Sequence, residues 1–375
     1  MNDCEFYINH SSTLPDDLIV RYKGVFDNGE ILRFHRSLPG YQPTPLYSLS
    51  SLAAGLNIGE LWVKDESERM GLKAFKVLGA SYAISKMLDD LSKDAVFCTA
   101  TDGNHGKAVA WSARMAGRHS IIFMPASSVE SRIHNIENEG AKVIVVGGDY
   151  DDAVHMAKEK ASEKGWILVQ DTSWEGYTDI PVNIMAGYST VFREMEDTLH
   201  KPGEPAFDVV FLKAGVGSWA ASAAWYYHER YREKRPKIVL VEPSSADCVM
   251  ESKKRGMPVP IEKSGETMMA GLNCATASRL ACEILHNSVD LFLSIPDWYA
   301  GAAMNALYYA KDEDEQIISG ESGAAGLGGL LAMLREDSLG EARDFIGLSN
   351  NSRVLVFNTE GNTDPINFNK IIHGD

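Results

Sequence analysis

The sequence predicts an α/β protein built on mostly parallel sheet, and three observations carry that reading. Short apolar runs of four or five residues recur from Leu61 to Phe357. Alanine-rich stretches with helical periodicity lie between them, the pattern of strand–helix–strand units. No internal repeat or low-complexity tract interrupts the alternation.

Taken in order, the first 60 residues are mixed and turn-rich. Within them, Leu38-Pro39-Gly40-Tyr41-Gln42-Pro43-Thr44-Pro45-Leu46 holds three prolines and is expected to run extended. Leu61-Trp62-Val63-Lys64 reads as a short strand, and a helical pattern begins at Gly79 with Ala80-Ser81-Tyr82-Ala83-Ile84. Four further runs follow: Ala95-Val96-Phe97-Cys98-Thr99, Ser120-Ile121-Ile122-Phe123-Met124, Lys142-Val143-Ile144-Val145-Val146 and Ile167-Leu168-Val169-Gln170. Residues 107–116 and 151–163 between them read as helices. The second half repeats the scheme with Val209-Val210-Phe211-Leu212, Lys237-Ile238-Val239-Leu240-Val241, Leu291-Phe292-Leu293-Ser294 and Val354-Leu355-Val356-Phe357. A helix is expected to open at Asp297-Trp298-Tyr299-Ala300.

A chain of 375 residues can bury a large core, in one big domain or in two intertwined ones. With 45% hydrophobic and 23% charged residues it has the composition of an ordinary soluble globular protein. Its 52 acidic residues against 36 basic ones set a net charge of −16, which argues against a nucleic-acid or anionic-membrane partner. No basic-then-apolar leader is read in Met1 to His10, and no stretch approaches the roughly 20 apolar residues of a membrane span. The five cysteines, Cys4, Cys98, Cys248, Cys274 and Cys282, are scattered without the spacing of a metal site. A cytoplasmic protein with mostly free thiols is the expectation. A Cys248–Cys274 bridge stays open, since spacing does not establish it.

Three segments carry chemistry. Lys76 sits among Phe75, Val77 and Leu78, just before the predicted helix. Desolvation by such neighbours lowers an amine's pKa and frees it for Schiff-base chemistry. The same segment also suits a lysine that snorkels to water. Lys73 reads as a plain surface residue. The second segment, Thr99-Ala100-Thr101-Asp102-Gly103-Asn104-His105-Gly106, ends a strand and opens a helix, where free N–H groups bind anions. Thr101 and the two glycines suit a small carboxylate, and Asn104 suits a phenolic oxygen on a cofactor ring. Asp102 or Asn104 could equally be a plain helix cap, and His105 reads as structural. The third, Lys213-Ala214-Gly215-Val216-Gly217-Ser218-Trp219-Ala220, is a strand, a glycine turn and a helix that could cradle a phosphate. A tight strand–helix turn is its plain alternative. Ala220 stands where a dinucleotide fingerprint has its last glycine, which counts against an NAD enzyme.

A lysine, then an anion loop, then a phosphate loop past mid-chain is an order that resembles the fold type II enzymes of pyridoxal 5′-phosphate. Within them the chain resembles the diaminopropionate ammonia-lyase family over most of its length. The likeness runs through Leu38-Pro39-Gly40-Tyr41, Val63-Lys64-Asp65-Glu66, Phe75-Lys76 and Asp102-Gly103-Asn104-His105. It continues in Asp171-Thr172-Ser173-Trp174-Glu175-Gly176-Tyr177, Ser319-Gly320-Glu321-Ser322-Gly323-Ala324 and Thr359-Glu360-Gly361-Asn362-Thr363-Asp364. Asp102 is the most telling position, because the related serine and threonine dehydratases usually carry serine there.

The resemblance implies conversion of D- and L-2,3-diaminopropionate to pyruvate and two ammonia through aminoacrylate. It implies Lys76 as cofactor carrier and base on one face of Cα, Asp102 as base on the other, and Asp171 as holder of the β-ammonium. Thr101, Asp102 and Asp171 would bind substrate. Asn104, Gly215, Val216, Gly217, Ser218 and Thr359 would bind the cofactor, Thr359 at the pyridine nitrogen. It further implies a homodimer with two domains: a large one of residues 1–79 and 187–375, and a small inserted βαβ domain of 80–186. Two features depart from the family. Lys213 stands where glutamine is frequent, and the segment from Ala275 to Ala281 replaces one that usually carries Gly, Pro and Trp. If that segment touches substrate, specificity would shift toward another β-substituted alanine.

Overall fold

A computed structural model describes residues 3–101, 103–199, 204–262 and 266–374. Two strands that the apolar runs did not announce come first, β1 (Glu5–Ile8) and β2 (Leu46–Ser48). The nine runs that were read as strands all form them: β3 (Glu60–Asp65), β4 (Val96–Ala100), β5 (His119–Pro125), β6 (Lys142–Val146), β7 (Ile167–Leu168), β8 (Val209–Lys213), β9 (Lys237–Pro243), β10 (Leu291–Ile295) and β11 (Arg353–Asn358).

The strands make two sheets. One has seven strands in the order β1-β10-β9-β8-β11-β3-β2, and the other has four in the order β6-β5-β4-β7. The four-stranded sheet is parallel throughout. In the larger sheet only the outermost strands run antiparallel, β1 against β10 and β2 against β3. Central parallel strands are covered on both faces and so read as unbroken apolar runs. Every position of β8 and of β10 is buried. The edge strands are short and only partly buried, so little hydrophobicity marks them.

The chain leaves β8 for β9 on one side, while β11 lies on the other. Connections that diverge in this way open a crevice at the carboxyl ends of the strands. Three helices start around it: Lys76–Ser85, Asn104–Met115 and Ser218–Tyr231. The first begins at Lys76, three residues before the expected start at Gly79. Tertiary burial sets that boundary, since Val77 and Leu78 are fully enclosed and no side chain caps the helix.

The proline-rich segment was expected to run extended from Leu38, but it opens on a turn, with Gly40 at φ +77 and Tyr41 N on the Leu38 carbonyl at 3.2 Å, and reaches β2 without helix only from Tyr41 onward. A buried ion cluster holds it there. Arg69 bonds Glu66 at 2.7 Å and Glu194 at 2.7 Å, and Lys64 bonds Glu194 at 2.9 Å. Thr44 donates to Glu66 at 2.6 Å, and Tyr41 to Glu194 at 2.8 Å. Cys248 and Cys274 are both free thiols, so the bridge left open by the sequence is not formed. Among the described residues no helix is long and apolar enough to cross a membrane.

Candidate active site

Lys76, Thr101, Asn104, Asp171, Gly215, Val216, Gly217, Ser218 and Thr359 all line one cleft at the carboxyl ends of β8 and β11. Asp102 lies outside the described residues. Lys73 is on the surface, with its Nζ on the Asn362 carbonyl at 3.2 Å.

Lys76 and Asp171 meet directly. Nζ donates to Oδ2 at 2.5 Å, and Asp171 is only 4% exposed. Burial alone would lift the Asp171 carboxyl, but the neighbouring His105 ring and the Lys76 ammonium hold it down to about 2. Burial keeps His105 itself below the ordinary imidazole range, so Lys76 is the charge that matters at neutral pH. His105 bonds the Val169 carbonyl through Nε2 at 2.7 Å and places Nδ1 3.8 Å from Asp171. Its structural reading therefore holds, with a second face toward the carboxylate. For Lys76 the expectation of a lowered pKa is corrected. Burial pulls the amine down, yet the Asp171 carboxylate outweighs it and raises the group above its ordinary value.

The glycine turn shares the cleft with Lys76. A Cβ on Gly215 would come within 3.0 Å of both Cys274 Sγ and the Gly271 carbonyl, so no other residue fits there undisturbed. Gly217 has φ +96, a conformation that favours glycine, and it opens the helix Ser218–Tyr231. The first N–H groups of that helix have no partners within it and are available to an anion. An amine and a glycine turn that opens a helix, lining the same cleft, fit an aldehyde-bearing phosphate ester such as pyridoxal phosphate. Lys76 would hold its aldehyde carbon, and the turn its phosphate.

Several predicted binding groups have partners within the chain. Thr101 Oγ1 accepts from Gly103 N at 2.9 Å and Gly106 N at 3.1 Å, which shapes the anion loop. Ser218 Oγ donates to the Asp171 carbonyl at 2.6 Å and so ties the phosphate turn to the carboxylate loop. Asn104 donates to Glu360, whose other oxygen accepts from Ser322 N at 3.0 Å. Glu360, Ser322, Tyr150 and Cys274 line the cleft without having been singled out for a role. Glu360 and Ser322 did stand inside segments that resemble the family, and that was their only signal.

The divergent segment clamps two loops together. Ser278 N donates to the Val216 carbonyl at 2.8 Å, and Ser278 Oγ meets Ser173 Oγ at 2.8 Å. Leu280 N completes the junction on Ser173 Oγ at 2.8 Å. Gly271, Leu272 and Cys274, just before the segment, line the cleft, whereas residues 275–281 do not.

Sequence and fold both match known proteins. The profile of the family described as pyridoxal-phosphate dependent enzyme matches residues 38–349. Diaminopropionate ammonia-lyase of Escherichia coli K12 is 39% identical over 357 residues, covering 91% of this chain and 89% of that one. The Salmonella typhimurium protein of the same name is 38% identical over 367 residues, covering 92% and 91%. The crystal structure of the Escherichia coli enzyme with an aminoacrylate-PLP azomethine reaction intermediate superposes with a TM-score of 0.89 at 36% identity, covering 100% of this chain and 98% of that one. The fold is that of the fold type II enzymes, and the chain belongs to the pyridoxal-phosphate-dependent enzymes and, within them, to the diaminopropionate ammonia-lyase family.

Proposed function

We propose that the protein splits 2,3-diaminopropionate and water into pyruvate and two molecules of ammonia, with pyridoxal phosphate as cofactor. One observation carries the reading: a buried carboxylate, Asp171, pairs with an ammonium, that of Lys76, in the cleft. A substrate with a second amino group supplies such an ammonium. Serine, with a hydroxyl in its place, does not.

The cofactor, when bound, supplies the electron sink that makes loss of the Cα proton feasible. The chain does the rest. A lysine that holds the cofactor is no longer an ammonium, and Lys76 Nζ, once released as the free amine, takes the Cα proton of one enantiomer, while Asp102 takes that of the other, so both react. Asp171 holds the β-ammonium. The charge of that ammonium keeps the buried carboxylate ionised in turn, so its work is electrostatic. The amide groups from Gly215 to Ser218 and the Ser218 hydroxyl would hold the phosphate. Asn104 would hold the phenolic oxygen, and Thr359 the pyridine nitrogen.

Residues 80–186 act as a small domain that closes on the remainder. The proposed borders fall in the helices Lys76–Ser85 and Asp179–Gly187, which pack so tightly that a Cβ on Gly79 would meet Ile184 and Tyr188. The active form is a homodimer, and sedimentation should show a species of twice the chain mass.

Pyruvate release decides the substrate. D- and L-diaminopropionate should outrun serine, threonine and other β-substituted alanines. Faster turnover of serine would sink the two-carboxylate argument.

A further inference from the structure

Lys213 ends β8 only 2% exposed, an unusual place for an amine. Its Nζ donates to the Gly323 carbonyl at 2.7 Å and to the Phe357 carbonyl. The first belongs to the opening turn of the helix Glu321–Arg335 and the second to β11. Both acceptors are neutral, and an ammonium has three donors. The residue lines the cofactor cleft and stands two positions before Gly215.

The charges around it are committed elsewhere. Glu360, after β11, is bonded by Ser322 N and Asn104. Glu321, at the start of the helix, is bonded by Asn367 at 2.5 Å, and burial lifts it to about 7. Glu242, on β9, accepts from Val249 N at 2.8 Å and Met250 N at 2.9 Å. The Cys274 thiol lines the same cleft, where Lys76 and Asp171 neutralise each other. Of these groups it is Glu360 whose charge reaches Lys213. Burial nevertheless prevails and presses the amine down to about 7.

We propose that Lys213 is the proton-accepting counter-charge of the cofactor seat: entry of a phosphate dianion into the adjacent glycine turn draws a proton from solvent onto Nζ. Binding of the phosphate ester and uptake of a proton are then one event. This rests on the phosphate seat assigned above. A glutamine at position 213 could still donate to both carbonyls, so a merely structural role would survive Lys213→Gln, whereas the titrating charge would not.

The probe is 4′-deoxypyridoxine 5′-phosphate, which lacks the aldehyde and cannot react with Lys76. Calorimetry of the cofactor-stripped full chain at about pH 8, in buffers of different ionisation enthalpy, counts the protons exchanged. The wild type should take up most of one proton per site. Its affinity should fall by up to about tenfold per pH unit between 7 and 9. Lys213→Gln should lose both the uptake and the slope, and phosphate-free 4′-deoxypyridoxine should give no uptake with either protein. Equal uptake by wild type and variant overturns the proposal. If the variant does not fold, the wild type alone decides, because a flat affinity over that range overturns it too. Failure of the phosphate probe to bind at all would instead overturn the seat itself.

Discussion

At the scale of single residues, the pair Lys76–Asp171 changes how the lysine is understood. An apolar neighbourhood suggested an amine made reactive by desolvation, yet a partner 95 residues away in sequence keeps it charged. No local window could show that. Asp171→Asn should lower kcat/KM for diaminopropionate by about 10²–10³. Turnover of serine, which has no β-ammonium, should fall much less, and equal losses on both substrates would remove the ammonium-holding role. Asp102→Asn should damage the reaction of the D-enantiomer more than that of the L, as parallel assays of the two would show.

At the scale of elements, the central strands were legible because parallel strands buried on both faces leave no polar alternation to confuse the pattern. The shortened β7 was not. Residues 167–170 read as one run, but Gln170 leaves the ladder and imitates it with its side chain, which bonds Ala100 N at 2.9 Å and Ala100 O at 3.1 Å. The ion cluster under the proline-rich segment was equally hidden, since Glu194 comes from the helix Ser189–Leu199, 125 residues beyond Arg69. Burial alone would lift the Glu194 carboxyl, but Arg69 and Lys64 hold it down to about 2. Its stabilising contribution is thus complete above the ordinary carboxylate range and is lost as pH falls toward 2. Glu194→Gln should destabilise the fold by about 3–5 kcal/mol at neutral pH, because two buried cations lose a partner. Denaturant titrations of both proteins should converge as pH approaches about 2.

At the scale of the whole molecule, the cleft is made by two sheets meeting, and the Asn104–Glu360 bond links them across 256 residues. The loops that open the helices Asn104–Met115 and Ser218–Tyr231 were legible separately; that they line one cleft was not. Glu360→Gln should weaken the link, and hydrogen exchange should speed up at the start of the helix Asn104–Met115 in cofactor-stripped protein. Unchanged protection there would mean that the sheets are held together by their packing alone.

The serine junction behind the cleft has a consequence for how the enzyme can diverge. Ser173 follows Asp171 by two residues, and Ser278, on which it rests, also anchors the glycine turn through Val216. With the turn seating the cofactor and Asp171 the substrate, as proposed, the two are mechanically geared to each other. A change in residues 275–281 moves both at once, so an altered preference among substrates would be inherited together with an altered hold on the cofactor.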